Sequence, residues 1–137
     1  MNRPELKKQF VNRKHLFAGW TSIAHPQVTE MLVRSGVDWL GIDIEHSTIN
    51  QEQSQRIIAA CHANDVPCLA RVASHNAEAI KRLLDSGADG VIVPTVETVE
   101  QVKKIIEFVP GEIVSFAGEI VDAGTIRVGR RRKIFEA

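Results

Sequence analysis

Residues 39–46 have the pattern of a buried strand with a polar carboxyl end: Trp39-Leu40-Gly41-Ile42-Asp43-Ile44-Glu45-His46. Alternate side chains of a strand point to opposite faces, so Leu40, Ile42 and Ile44 share one face. Asp43 and Glu45 share the other face. An apolar face can pack against helices, whereas buried carboxylates need charged or hydrogen-bonding partners. The stretch therefore predicts a buried strand whose carboxyl end carries a polar site.

Strand and helix patterns alternate on both sides of this stretch, up to about residue 108. The predicted strands are residues 16–20, 37–44, 67–72 and 91–93. The segments between them have helical apolar spacing and helix-start residues such as Pro26, Asn50 and Thr98. Gly36 and Gly87 are typical helix-ending residues. Such alternation with short connections predicts an α/β fold of right-handed βαβ units.

Four βα units fit two architectures, a flavodoxin-like doubly wound sheet and the N-terminal half of a (β/α)8 barrel. Periodicity leaves both open. A short internal repeat favours the barrel, because Ser35-Gly36-Val37-Asp38-Trp39 recurs two units later as Ser86-Gly87-Ala88-Asp89-Gly90. Alternate barrel strands play similar parts. The same match can also arise because each helix–strand junction needs a helix-ending glycine.

Composition excludes several classes of protein. The 137 residues are 44% hydrophobic and 25% charged, as in a globular domain and unlike a disordered chain. No apolar run approaches the ~18–20 residues that span a bilayer, and residues 1–8 lack the apolar core of a signal peptide. Two cysteines, Cys61 and Cys68, make neither a disulfide framework nor a zinc site. We therefore expect a cytoplasmic protein without a membrane partner.

The formal net charge of zero hides an asymmetry. Residues 127–137 hold five of the 17 basic residues and one of the 17 acidic residues, so residues 1–126 carry a net charge of −4. An acidic body argues against nucleic-acid binding. Beyond residue 110 the strand–helix alternation fades, and we expect residues 111–137 to form an irregular basic tail.

Polar side chains cluster at the predicted strand ends, where parallel α/β folds hold their active sites. Trp20 ends the first strand, the second ends in Asp43-Ile44-Glu45-His46, and Arg71 lies at the end of the third. Asp43 is close enough in sequence to orient the imidazole of His46. Arg71 can neutralise a carboxylate or bind an anionic substrate. Each residue alone has a structural explanation, and Trp20 fits a pocket wall or a barrel plug equally well. Together they predict a site for a small anion.

These residues, with Leu69-Ala70-Arg71-Val72 and residues 80–88 and 90–98, resemble the HpcH/HpaI aldolase/citrate lyase family over about residues 15–108. The resemblance implies a (β/α)8 barrel, of which this chain has the N-terminal half, and a homo-oligomer. It implies a carbon–carbon lyase that cleaves 4-hydroxy-2-oxo acids to pyruvate, or a related 2-oxo acid, and an aldehyde. It also implies a divalent metal, Mg²⁺ or Mn²⁺, that chelates the oxo acid.

The family's roles transfer residue by residue. Arg71 resembles the arginine that contacts the oxo acid and its enolate oxygen, His46 the catalytic base, and Asp43 the partner that orients the base. Trp20 resembles a tryptophan that lines the substrate site. The family's metal ligands are acidic residues on later strands, so we expect no metal ligand within this chain.

The length of the chain qualifies the expected function. We expect residues 1–110 to form a partial barrel domain, and residues 111–137 to be a truncated, frame-shifted or engineered end. Loss of the metal-binding half would impair the aldolase reaction. The alternative is a non-catalytic module, a half-barrel that binds an oxo acid or self-associates through its open edges.

Overall fold

The computed structural model describes residues 1–109, 113–116, 119–121, 127–130 and 133–136, with side chains for residues 1–109, 113 and 114. Its helices are α1 (Arg3–Val11), α2 (Pro26–Arg34), α3 (Gln51–His62), α4 (Ala77–Asp85) and α5 (Val99–Phe108). Its strands are β1 (Ala18–Thr21), β2 (Trp39–Asp43), β3 (Cys68–Arg71), β4 (Gly90–Val93), β5 (Ile113–Phe116), β6 (Glu119–Val121), β7 (Arg127–Arg130) and β8 (Lys133–Glu136). The predicted strand–helix alternation is confirmed. Among the described residues, every helix is too short or too polar to cross a lipid bilayer.

The order of the strands decides between the two architectures. β1 to β5 lie side by side in chain order and are parallel. A doubly wound sheet reverses its strand order at a switch point, whereas a barrel adds each strand next to the last. The structure therefore confirms the half-barrel.

Helices α2 to α5 cover one face of this sheet, and their apolar side chains form two clusters with it. Around α2 and α3 the buried strand residues are Leu40, Ile42 and Cys68. Around α4 and α5 they include Val91 and Val93. The opposite face, called the inner face below, carries the alternate residues of each strand, including Asp43 and Arg71. The predicted division of β2 between an apolar and a polar face is thus confirmed.

The segment after residue 110 differs from the expected irregular tail. Ile113–Phe116 forms a fifth parallel strand beside β4, with Ile113 and Val114 buried. β6 pairs antiparallel with β5, and β7 with β8. The sequence shows only a short β-prone pair here, Ile113-Val114, with no helical spacing after it to indicate another βα unit. The rest of the expected tail lies outside the described residues, and a domain boundary at residue 110 stays a prediction.

Helix α1 was not predicted from the sequence. It has a capping box formed by Asn2 and Glu5, but Leu6 is its one fully buried residue, so its apolar pattern is weak. Leu6 packs on Leu69 and Ile113 of the inner face. Phe10 meets Trp39 edge to face, with ring centroids 5.8 Å apart. Because Trp39 begins β2, α1 closes the inner face at the amino ends of the strands.

The sequence repeat corresponds to a repeated junction. Asp38 accepts the backbone N–H of Phe17 at 2.8 Å, and its own N–H donates to the Phe17 carbonyl. Asp89 makes the same two hydrogen bonds with Cys68. In both junctions an aspartate before one strand satisfies the backbone at the start of the previous strand. The repeat therefore has a shared structural cause, which ties β1 to β2 and β3 to β4.

The turn after α3 allows a test of the left-handed backbone conformation that ends these helices. The turns after α2 and α4 use Gly36 (φ 92°) and Gly87 (φ 100°), whereas Asp65 has a φ of 56°. An L-residue pays about 1 kcal/mol for this left-handed conformation, and glycine does not. We expect Asp65→Gly to raise the free energy of unfolding by about 0.5 kcal/mol, measured by urea denaturation. The control Gly87→Ala should lower it by about 1 kcal/mol. Destabilisation by Asp65→Gly would contradict the prediction.

Candidate active site

The carboxyl ends of β1, β2 and β3 bring the predicted site residues together on the inner face. Asp43 at the end of β2 lies beside Arg71 at the end of β3 in the strand register. Trp20, on β1, reaches the same arginine. Glu45 and His46 follow β2 directly in the chain. The sheet thus brings three side chains from adjacent strands and two from the loop after β2 to the same end of the inner face.

Asp43 and Arg71 form a two-point ion pair. Arg71 Nε donates to Asp43 Oδ1 at 3.1 Å, and Arg71 Nη2 donates to Asp43 Oδ2 at 2.6 Å. The Asp43 side chain is 7% exposed and that of Arg71 26%. Asp43 Oδ1 also accepts the backbone N–H groups of Glu45 and His46, at 3.1 and 3.0 Å. One buried carboxylate therefore fixes both the arginine and the loop that follows β2.

This pairing shifts the acid–base properties of both groups. The hydrogen bonds from Arg71 hold the pKa of Asp43 below its ordinary value of 3.8, against the opposing effect of burial. The same contacts raise the pKa of Arg71. Asp43 is therefore a fixed negative charge near neutral pH, and it acts as an acceptor that positions Arg71.

Glu45 lies between Arg71 and His46. Its Oε2 atom is 3.3 Å from Arg71 Nε and 3.6 Å from His46 Nε2. The Glu45 side chain is 18% exposed, whereas that of His46 is 69% exposed. The sequence pattern predicts this carboxylate on the polar face of β2 but indicates no role for it. Its position two residues after Asp43 was the signal that could have placed it in the site.

These distances differ from the expected contact between the Asp43 carboxylate and the His46 imidazole. Asp43 accepts the backbone N–H of His46, and the imidazole approaches Glu45 instead. The physical reason is competition for the carboxylate. The guanidinium of Arg71 is always charged and matches both carboxylate oxygens, so it occupies them.

Trp20 lies beside the Arg71 guanidinium. The Arg71 Cζ atom lies 5.2 Å from the centre of the Trp20 ring, within the range of a cation–π contact. Trp20 remains 43% exposed. Both sequence alternatives for Trp20, a pocket wall and a barrel plug, fit this exposure in a half-barrel, and its role in the site stays a prediction.

The carboxylates near Arg71 are side chains of a metal-ligating type. Within the part of the chain whose side chains are described, no three histidine, cysteine, aspartate or glutamate residues converge on one point. Both Asp43 oxygens accept hydrogen bonds from Arg71, and Oδ1 also accepts two backbone N–H groups. The Glu45 carboxylate is held less tightly, with its Oε2 atom 3.3 Å from Arg71 Nε. With His46 neutral, the two carboxylates and Arg71 sum to a charge of −1.

A parallel half-barrel with polar side chains at the carboxyl ends of its strands is typical of (β/α)8 barrel proteins, whose sites lie at that face. The family model for HpcH/HpaI aldolase/citrate lyase matches residues 16–121 of this sequence. The chain therefore belongs to the HpcH/HpaI aldolase/citrate lyase family, a family of carbon–carbon lyases. The match continues past residue 110, so residues 111–121 belong to the matched region rather than to a non-family tail.

Two relatives with assigned activities are similar to this region. A 4-hydroxy-2-oxovalerate aldolase from Novosphingobium aromaticivorans is 41% identical over 91 residues, which are 64% of this chain and 34% of the relative. A hydroxypyruvate/pyruvate aldolase from Roseobacter denitrificans is 36% identical over 100 residues, 73% of this chain and 39% of the relative. The chain thus spans between a third and two fifths of the length of these relatives.

Solved structures agree with the fold. A citrate synthase, SbnG, superposes with a TM-score of 0.69 at 35% identity, covering 74% of this chain and 41% of that one. A family member from Burkholderia cenocepacia superposes with a TM-score of 0.71 at 27% identity, covering 76% and 42%. These coverages place the present chain on part of a larger barrel.

The Asp43–Arg71 pair predicts a pH-dependent contribution to stability. At about pH 7, Asp43→Asn should lower the free energy of unfolding by about 3 kcal/mol, because a half-buried arginine loses its partner. The folded pKa of Asp43 lies below 3.8, so this contribution is complete above that value and is lost as the pH falls through the folded pKa.

Urea denaturation from about pH 7 down to about pH 2 measures the difference between Asp43→Asn and the unmodified chain. The difference should shrink below about pH 4. The control Asp85→Asn, at an exposed position on α4, should change stability by less than about 0.5 kcal/mol throughout. A difference for Asp43→Asn that is the same at both ends of the range would contradict the account.

Proposed function

We propose that this chain carries the arginine and histidine part of an aldolase site that cleaves a 4-hydroxy-2-oxo acid. The observation that carries the proposal is the restraint on Arg71. Asp43 holds two of its nitrogens, Glu45 lies beside Nε, and Trp20 covers one face. Among the described residues Nη1 has no hydrogen-bond partner, so it is the donor that can meet a ligand oxygen. A fixed donor at a developing oxyanion is the arrangement that electrostatic catalysis requires.

The proposed reaction divides the work between Arg71 and His46. Removal of the C4 hydroxyl proton forms the aldehyde carbonyl and breaks the C3–C4 bond, and the electron pair passes into the enolate of the 2-oxo acid. We assign the proton to the imidazole of His46, and the Glu45 carboxylate at 3.6 Å stabilises the imidazolium that results. Arg71 donates to the enolate oxygen at C2. Return of this proton from the His46 imidazolium to C3 then releases pyruvate or a related 2-oxo acid and leaves the imidazole ready for another cycle.

In the family a divalent metal, Mg²⁺ or Mn²⁺, supplies further polarisation of the oxo acid. We propose, as the family resemblance implies, that its carboxylate ligands are acidic residues on later strands of the barrel. A cluster with a charge of −1 attracts an anionic oxo acid poorly. Both arguments lead us to expect weak oxo-acid binding and little turnover from this chain alone.

The proposal extends to the setting of the protein. Its small-molecule partner would be a 2-oxo acid, its assembly a homo-oligomer and its compartment the cytoplasm. Cys61 and Cys68 are free and buried, which is typical of a reducing compartment. Among the described residues β1 pairs with a strand on one side only, and Phe17 and Ile23 beside it are 77% and 56% exposed, which supports the proposed oligomer.

Calorimetric titration with oxalate, a planar analogue of the pyruvate enolate, tests the binding half of this proposal. We expect oxalate to bind in the presence of Mg²⁺ with an affinity near the millimolar range. Arg71→Lys should weaken binding about tenfold or more, because a point charge cannot keep both the Asp43 pairing and a donor to the ligand. The matched control is Arg82→Lys, since Arg82 also pairs with a carboxylate, Glu78, but on the outer helix α4.

Two outcomes would overturn the proposal, namely no oxalate binding by the unmodified chain, or equal binding by Arg71→Lys. A retro-aldol assay with Mg²⁺ or Mn²⁺ and a 4-hydroxy-2-oxo acid then tests the chemical half. Any turnover should disappear in His46→Ala, while oxalate binding is retained. Oxalate binding that needs no metal, with no turnover, would instead favour the non-catalytic oxo-acid-binding module.

A further inference from the structure

Gly41 lies beneath the Trp20 indole on the inner face. The two residues are partners in the β1–β2 register. A Cβ atom built on Gly41 would be 2.3 Å from Trp20 Cε3 and 2.5 Å from Trp20 Cζ3. Both atoms belong to the six-membered ring of the indole. The ring therefore occupies the volume that any side chain at position 41 would need.

The backbone does not explain why this position is glycine. Among the described residues, the glycines with positive φ are Gly36 and Gly87, so Gly41 has a conformation open to other residues. Glycine inside a strand also weakens the strand, because it loses more entropy on folding and contributes no packing. The remaining explanation for glycine at this position is steric. A glycine at position 41 leaves room for a large side chain on the neighbouring strand β1.

The admitted side chain contacts the centre of the site. The Trp20 ring lies 5.2 Å from Arg71 Cζ, while Asp43 holds the guanidinium edge through Nε and Nη2. An edge contact leaves the guanidinium plane free to tilt about the carboxylate, and a contact on its face removes that freedom. Moving the indole away would therefore change where Arg71 Nη1 points without breaking the ion pair.

We propose that Gly41 is a positioning residue of this site. The missing side chain at position 41 admits the Trp20 indole against Arg71, and the indole fixes the plane in which Arg71 presents the N–H groups of Nη1 to the oxo acid. This role rests on the proposed function for its ligand, but the packing of Trp20 is testable without any ligand.

The first measurement uses no ligand. The chain has two tryptophans, so Trp39→Phe, which keeps an aromatic ring against Phe10, makes Trp20 the single fluorophore. In this background Gly41→Ala should shift the Trp20 emission to longer wavelength and increase its quenching by acrylamide, because the displaced indole moves into water. The control is Gly19→Ala, whose added Cβ would meet Leu40 Cδ1 at 2.7 Å on the opposite face of the sheet. It should leave both signals unchanged.

The second measurement is oxalate affinity in a double-mutant cycle. Gly41→Ala should weaken oxalate binding about fivefold, and Trp20→Leu should weaken it by a similar factor, because each removes the indole from Arg71. With both substitutions together the loss should equal that of Trp20→Leu alone. A purely structural effect of Gly41→Ala on β2 would persist in the Trp20→Leu background. If Gly41→Ala alone fails to fold, recovery of folding in the double variant supports the same competition for space.

Two results would overturn the inference. One is unchanged Trp20 emission and quenching in Gly41→Ala, and the other is an oxalate loss from Gly41→Ala that adds in full to that of Trp20→Leu. Absence of oxalate binding by the unmodified chain would instead overturn the proposed function. The fluorescence result would then still decide whether Gly41 positions Trp20.

Discussion

The ion pair between Asp43 and Arg71 is the interaction on which the rest of the site depends. It joins the carboxyl ends of β2 and β3 through two hydrogen bonds. The same carboxylate accepts the backbone N–H groups of Glu45 and His46. Four N–H donors thus meet at one buried carboxylate. This carboxylate sets the direction of Arg71 and the path of the loop that carries His46. Removing a buried charge of this kind leaves its partners uncompensated, which is costly.

The fold supports this interaction by dividing the inner face into levels. At the amino ends of the strands, α1 seals the face with Leu6 against Leu69 and Ile113. Trp20 lies above, across Gly41. The charged cluster occupies the carboxyl ends, where a parallel sheet opens towards its loops. The inner face is thus apolar at the amino ends of the strands and polar at their carboxyl ends.

The sequence predicts much of this arrangement because most of it follows from local periodicity. The two faces of β2, the helix caps and the placement of Trp20, Asp43 and Arg71 at strand ends needed only short-range patterns. The partner of His46 could not be predicted, because Arg71 from another strand competes for Asp43. The reason for Gly41 lies in the β1–β2 register. No helical spacing follows β5 in the sequence, so the alternation that indicated the earlier strands is missing there. Helix α1 has one buried residue and so gave no amphipathic pattern.

The coupling between Asp43 and Arg71 is the most direct test of this account. It can be measured by urea denaturation of Asp43→Ala, Arg71→Ala and the variant that carries both, near neutral pH. We expect the double variant to be destabilised by about 2 kcal/mol less, or by a still smaller amount, than the sum of the two single variants. Either substitution alone leaves a half-buried charge without its partner. Destabilisations that add within about 0.5 kcal/mol would contradict the central place given to this ion pair.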